Sequence, residues 1–337
     1  MKIGVVGDIH WSKYSSILRS RGKKYSKRLE NCIDSINWAE ELLGDRCDIV
    51  VYLGDFFDHE SLKSEEITAL SEIKWNKLPH KFLVGNHELG LNDLSFSSAH
   101  IFITLHNKKE VIDHPMSCIY SDVEVCYLPY MLNMKESIEE YFGDYLAEKR
   151  IIFSHNDIAG VQMGKFVSTS GFEIDNIEAN CDLFINGHLH NGAQVSDKIY
   201  NVGNLTGQNF SEDAQVYNHN IFILDTDTLE IEEFENPYAL KFYKFNSLED
   251  LMNYELKSNS IITAKLYNGV VDKAKDYVKD NENIIAHRFI ILQDESRNVS
   301  TSNVSLTINH LEKFQEFVLD KLGNDTTVVE ELSQVLR

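Results

Sequence analysis

The chain has 337 residues, 43% hydrophobic and 25% charged, which is ample for one large core and a smaller second unit. A formal net charge of −21 excludes capture of nucleic acid by the overall field, so a polyanionic substrate would need basic loops or bound cations. No apolar stretch is long enough to span a bilayer.

The first residues, KIGVVGDIH (2–10), read as a strand entering a turn rather than a signal peptide, and Asp8 and His10 follow it. RSRGKKYSKR (19–28) then collects Arg19, Arg21, Lys23, Lys24, Lys27 and Arg28, as a solvated face or as a contact for phosphates. SKRLENCIDSINWAEELL (26–43) has helical spacing, with Leu29, Cys32, Ile33, Ile36 and Ala39 on one face. CDIVVYLGDFFD (47–58) is a strand followed by Asp55 and Asp58, and SEEITALSEIKW (64–75) a helix starting at Ser64. HKFLVGNHE (80–88), KRIIFSHND (149–157) and CDLFINGHLH (181–190) are strands followed by Asn86 and His87, by His155, and by His188 and His190.

Beyond His190, YNVGNLTGQNFSED (200–213) turns at Gly203 and Asn204, and IFILDTDTLEIEEF (221–234) reads as a hairpin through Asp225–Asp227. From about residue 239 strands and helices alternate on a smaller scale. QDESRNVSTSNVS (293–305) suits a flexible linker, and two amphipathic helices follow over 306–337. Such helices either pack on their own core or dock on a partner, and the tether favours docking. The five cysteines are scattered, odd in number and without C-x-x-C spacing, as in reduced thiols of a cytoplasmic protein.

Alternating strands and helices imply a layered α/β domain. In open α/β sheets ligands collect beyond the carboxyl ends of the strands, so side chains that each follow their own strand converge on one edge. Here those side chains are carboxylate, imidazole and amide, the donor set of a hard-to-borderline metal site. Asp-x-His and His-x-His place alternate residues on one side of extended backbone.

The ordered series D-x-H, GD-x-x-D, GNHE, a lone histidine after a strand, and GH-x-H resembles the calcineurin-like metallophosphoesterase superfamily. The resemblance implies a metallophosphoesterase sandwich, two mixed sheets flanked by helices, over 1–236. Asp8, His10 and His190 would hold one divalent cation; Asn86, His155 and His188 a second; Asp55 would bridge them. His87 would face the substrate as acid, and Asp58 matches the carboxylate that orients this histidine in the phosphatase branch. Two carboxylates against two divalent ions leave a net positive site, which draws a phosphodiester despite the acidic chain.

GDFFDHE lacks the arginine that follows this motif in protein phosphatases, and the chain continues well past His190. That continuation looks like the SbcD branch, the nuclease subunit of Mre-eleven–Rad-fifty type repair complexes, and most like its phage members. The implied function is a Mn²⁺-dependent DNA exo/endonuclease in repair or recombination, located in the host cytoplasm if phage-encoded. The resemblance implies a small α+β capping domain (239–292), C-terminal helices docked on an SMC-like coiled-coil ATPase of the SbcC / Rad-fifty type, and a homodimer. The competing readings are a stand-alone phosphodiesterase or phosphatase acting on a small nucleotide or phosphoprotein, and a scaffold with a vestigial centre.

Overall fold

Short apolar runs buried on both faces become the parallel strands of two mixed sheets. The computed structural model describes residues 1–105, 108–163 and 166–292. The expected linker (293–305) and C-terminal helices (306–337) lie outside the described residues.

In the first sheet β1 (Lys2–Val6), β2 (Ile49–Tyr52), β3 (His80–Leu83) and β4 (Lys109–Ile112) run parallel. In the second, β5 (Met116–Tyr120) pairs antiparallel with β6 (Val123–Leu128), and β6 runs parallel to β7 (Lys149–Ser154) and onward to β8 (Leu183–Asn186). The short β9 (Ala193–Gln194) and β10 (Ile199–Asn201) complete that sheet beyond β8. The hairpin β11 (Asn220–Asp225) and β12 (Ile231–Glu235) closes the first sheet by pairing antiparallel with β1.

Strand alternation assigns the layers. Ile3, Val5, Ile49 and Val51 face Val125, Tyr127, Ile151 and Phe153 across the interface between the sheets. Their neighbours Val6, Val50 and Tyr52 point the other way, against helix α1 (Lys27–Gly44) through Leu29, Cys32, Ile36 and Leu43. The outer face of the second sheet packs on Ile177 of α3 (Ile174–Asn180). The observed layers are therefore helix, sheet, sheet, helix.

Helix α1 starts where Ser26 Oγ accepts from Leu29 N (3.2 Å). The next helix is shorter than its periodicity predicts: α2 covers Ser64–Ala69, and a single 3₁₀ turn, Leu70–Glu72, ends it. Side chains of α1 capture the chain that would have continued it. Asn37 Oδ1 accepts from Lys74 N (2.7 Å) and Glu40 Oε2 from Asn76 N (2.9 Å).

After the hairpin come β13 (Lys241–Phe245), α4 (Leu248–Asn253), β14 (Ser260–Tyr267), α5 (Val271–Asp280) and β15 (Ile284–Leu292). All three strands are parallel, in the order β13-β14-β15. One face of this small sheet packs on its own helices through Tyr243, Phe245, Ile262 and Ala264. The other begins apolar, with Phe242, Ile261 and Ala286 in register and packed with Phe210 and Leu18 of the larger unit. Two residues further along each strand that same face presents Lys244, Thr263 and Arg288, again in register. The described residues contain no helix long and apolar enough to cross a membrane.

Candidate metal centre

The loops leaving the carboxyl ends of β1, β2, β3, β7 and β8 meet where the two sheets adjoin. Parallel pairing of β1 with β2 continues past both strands as a Trp11↔Phe57 bridge, and Asp58 N–H donates to the Trp11 carbonyl (3.3 Å). Gly85 lets β3 come close, since a Cβ there would lie 2.2 Å from Asp55 Oδ1. His10, Asp55 and His188 all adopt left-handed backbone, with φ of 49°, 45° and 68°.

Three donor groups result among the described residues: two follow the expected division, and the third sets His87 with His10 and Asp55. Asp8, His10 and His190 form the first: His10 Nε2 and His190 Nε2 lie 3.9 and 4.0 Å from Asp8 Oδ2, and 2.9 Å from each other. Asp55, His155 and His188 form the second, and Asn86 joins it. Asn86 Oδ1 lies 3.2 Å from His155 Nε2 and 2.9 Å from His188 Nδ1. Asp55 Oδ2 sits between the sets, 3.2 Å from His155 Nε2 and 3.8 Å from His10 Nε2.

The surroundings fix which ring nitrogens face inward. His10 Nδ1 hydrogen-bonds Asp58 Oδ1 (3.0 Å), His155 Nδ1 donates to the Leu53 carbonyl (2.8 Å), and His188 Nε2 meets Asp157 Oδ1 (3.2 Å). The opposite nitrogen of each ring is left with its lone pair toward the other donors. Asp8 Oδ2 is buried with no hydrogen-bond partner among the described residues. Converging lone pairs around a bare carboxylate oxygen fit cations and fit a proton network poorly.

Charge tells the same story. Burial works against charge on His155, but the Asp55 and Asp8 carboxylates override it and raise its pKa to about 9. His10 is likewise raised, by Asp58, Asp55 and Asp8 against burial. Burial would lift Asp55, yet His155 and His10 hold it well below the usual carboxylate range. His190 goes the other way, pushed far down by burial and by the neighbouring His10. The site calls for positive charge, and divalent ions would replace the protons it otherwise recruits.

Not every sequence-derived role survives. The Asp58 carboxylate binds His10 rather than orienting His87. His87 Nδ1 has the Asp58 carbonyl at 3.3 Å and the carboxylate only at 3.7 Å. The pairing of the two loops explains the change, because Asp58 N–H on the Trp11 carbonyl holds Asp58 next to His10. His87 itself is partly exposed and stands edge-on to the His10 ring at 4.6 Å, while its N–H donates to Asp55 Oδ1 (2.9 Å).

The basic segment changes more. Arg28 is 4% exposed and is no phosphate contact: it donates to the carbonyls of Ile9 (3.0 Å) and Gly207 (3.3 Å) and to Thr206 Oγ1 (2.8 Å). Arg21 pairs with Glu65 and Lys24 with Glu72, while Arg19 donates to the Ser16 carbonyl. Arg28 therefore clamps the loop that carries His10. Arg28→Ala is expected to lower stability by about 2–4 kcal/mol, seen as a shifted urea midpoint. An unchanged midpoint would show that the clamp is idle.

Sequence reading missed three kinds of residue. Asp157 supports His188, and Glu88 ties two ligand loops by accepting from Phe57 N (2.9 Å) and Gly85 N (3.0 Å), its pKa raised to about 7 by burial and by Asp55. The third kind is the cation row. An open cleft of ≈ 1010 Å³ joins Asp55, Asn86, His87 and His188 to Lys244, Lys265 and Arg288 of the small sheet. Strand alternation in KFYKF and IITAKL was the available signal.

A layered α/β sandwich whose strand ends hold two adjoining oxygen-and-nitrogen donor sets is the architecture of a dimetal phosphoesterase. The chain matches the Calcineurin-like phosphoesterase family over residues 1–314 and belongs to that family. Among curated proteins none matches it. Two similar solved structures are TT1561 of Thermus thermophilus and a dimetal phosphatase from Danio rerio, both 12% identical. The first has a TM-score of 0.40 and covers 69% of this chain and 98% of that one. The second has 0.39, with 70% and 99%. The family match, rather than these likenesses, carries the assignment.

Proposed function

We propose that this phosphoesterase is a DNA nuclease that hydrolyses phosphodiester bonds with two Mn²⁺ ions. The observation that carries the reading is that Lys244, Lys265 and Arg288 line the same cleft as the candidate ligands. On a chain of net charge −21, cations gathered at that one place supply what a polyphosphate strand requires and a lone phosphomonoester does not. Arg288 also lies over the Phe210 ring, 4.3 Å from its centroid, which holds the guanidinium at the wall.

The mixed oxygen and imidazole donors suit Mn²⁺. Asp8, His10 and His190 would hold one ion and Asn86, His155 and His188 the other, with Asp55 shared. Once bound, such a pair activates water and neutralises charge on the phosphoryl oxygens. The protein's own groups do the rest. Asp58, Leu53 O and Asp157 keep the rings turned inward. His87, whose Nδ1–H donates to the Asp58 carbonyl (3.3 Å), would as the imidazolium hand its Nε2 proton to the leaving oxygen.

The test is cleavage of linear DNA with Mn²⁺, abolished by EDTA, against a cyclic dinucleotide and an aryl phosphate. Hydrolysis of the small esters with DNA untouched would favour the stand-alone phosphodiesterase. In binding assays, joint replacement of Lys244, Lys265 and Arg288 by Ala should reduce the log–log salt slope by about 2–3, at about 0.9 per duplex phosphate contact. An unchanged slope would remove the row from the DNA path. The same measurement on the exposed Lys23 and Lys27 tests the loop. The SMC-like ATPase partner, the homodimer and the docking role of 306–337 are proposed on the resemblance.

A further inference from the structure

His87 belongs to two hollows. On one side is the cleft with the cation row, and on the other a shallow depression of ≈ 580 Å³ whose lining includes Tyr14, Asp58, His59, Glu60 and Lys63. The two differ in charge. The cleft sets three cations against Asp55 and Asp213, whereas in the depression the carboxylates of Asp58 and Glu60 outnumber the single Lys63. Phosphate is drawn to the first, and an uncharged group is accepted by the second.

The depression has one large flat surface. Tyr14 is 58% exposed, although the loop beneath it is fixed. Its N–H donates to the buried Ser12 Oγ (3.1 Å), Lys13 N–H to Glu66 Oε1 (2.9 Å), and Trp11 Nε1 to the Glu66 carbonyl (3.2 Å). Lys13 Nζ lies 5.1 Å from the ring centroid. An aromatic ring so anchored beside the group that faces the scissile bond is a stacking platform for a nucleobase.

We propose that this depression is the subsite for the nucleoside on the leaving side of the scissile phosphate, its base stacked on Tyr14. The assignment rests on the DNA reading above. On cleavage the P–O bond on this side breaks and its electron pair stays with the sugar oxygen. That oxygen takes the proton from His87, while the oxygen of water goes to phosphorus. The phosphate-rich remainder of the strand lies along Lys244, Lys265 and Arg288.

The experiment compares wild type, Tyr14→Ala and Tyr14→Phe on a short oligonucleotide. Two further versions of that oligonucleotide lack the base on one or the other side of the scissile phosphate. Tyr14→Ala should lower kcat/KM about tenfold on the intact substrate, and less than about threefold when the leaving-side base is missing. Tyr14→Phe should behave as wild type. Equal losses on all three substrates would overturn the subsite while leaving the nuclease reading in place. If wild type cuts none of them yet hydrolyses bis(p-nitrophenyl) phosphate, the DNA reading fails and the subsite with it.

Discussion

Asp55→Asn should lower kcat/KM for phosphodiester hydrolysis by about 10³-fold while leaving the fold intact. Its Oδ2 lies within reach of both donor sets, and its Oδ1 holds the His87 backbone. Asparagine keeps the shape but removes the charge that two divalent ions would share. Losing several kcal/mol of transition-state stabilisation amounts to about three factors of ten. Bound metal, measured after gel filtration, should fall by at least one ion per chain. Full metal content together with near-normal turnover would show that Asp55 bridges nothing.

The second large effect is expected at His87. His87→Ala should reduce kcat by about 10²–10⁴-fold on DNA, the range for a lost general acid. Metal content should not change if His87 acts as acid, and this readout is needed because its ring also groups with His10 and Asp55. Bis(p-nitrophenyl) phosphate separates acid catalysis from simple disruption. Its leaving phenolate departs without a proton, so the loss on it should shrink greatly. An equal loss on both substrates would mean that His87 serves binding or structure instead.

These two predictions draw on residues that sequence reading placed with little difficulty. A parallel strand buried on both faces is a short apolar run, and Gly-Asp, Gly-Asn, Gly-His or, once, Ser-His after it marks the point where the chain turns over the sheet edge. Counting such endings located Asp8, His10, Asp55, Asn86, His155, His188 and His190, and the structure brings all seven together. What remained hidden depends on contacts between distant loops. Asp58 was legible as a site residue, but its partner depends on the Trp11↔Phe57 bridge, which no local pattern announces. Arg28 looked like one more charge in a basic run, and only the packing of α1 beneath the first turn shows it capped by three oxygens. The cations were hidden for the opposite reason: Lys244 and Arg288 flank Thr263 in register, and Lys265 lies two residues further along the middle strand on the same face.

Three of the candidate ligands hold a backbone that L-residues avoid: His10, Asp55 and His188 all have φ between 45° and 68°. Each such departure costs on the order of 1 kcal/mol, carried by the rest of the sandwich. Glycine would relax every one of them and delete the donor in the same stroke. At these positions the most durable version of the molecule is an inert one, so a screen for heat resistance alone would drift toward proteins that no longer work.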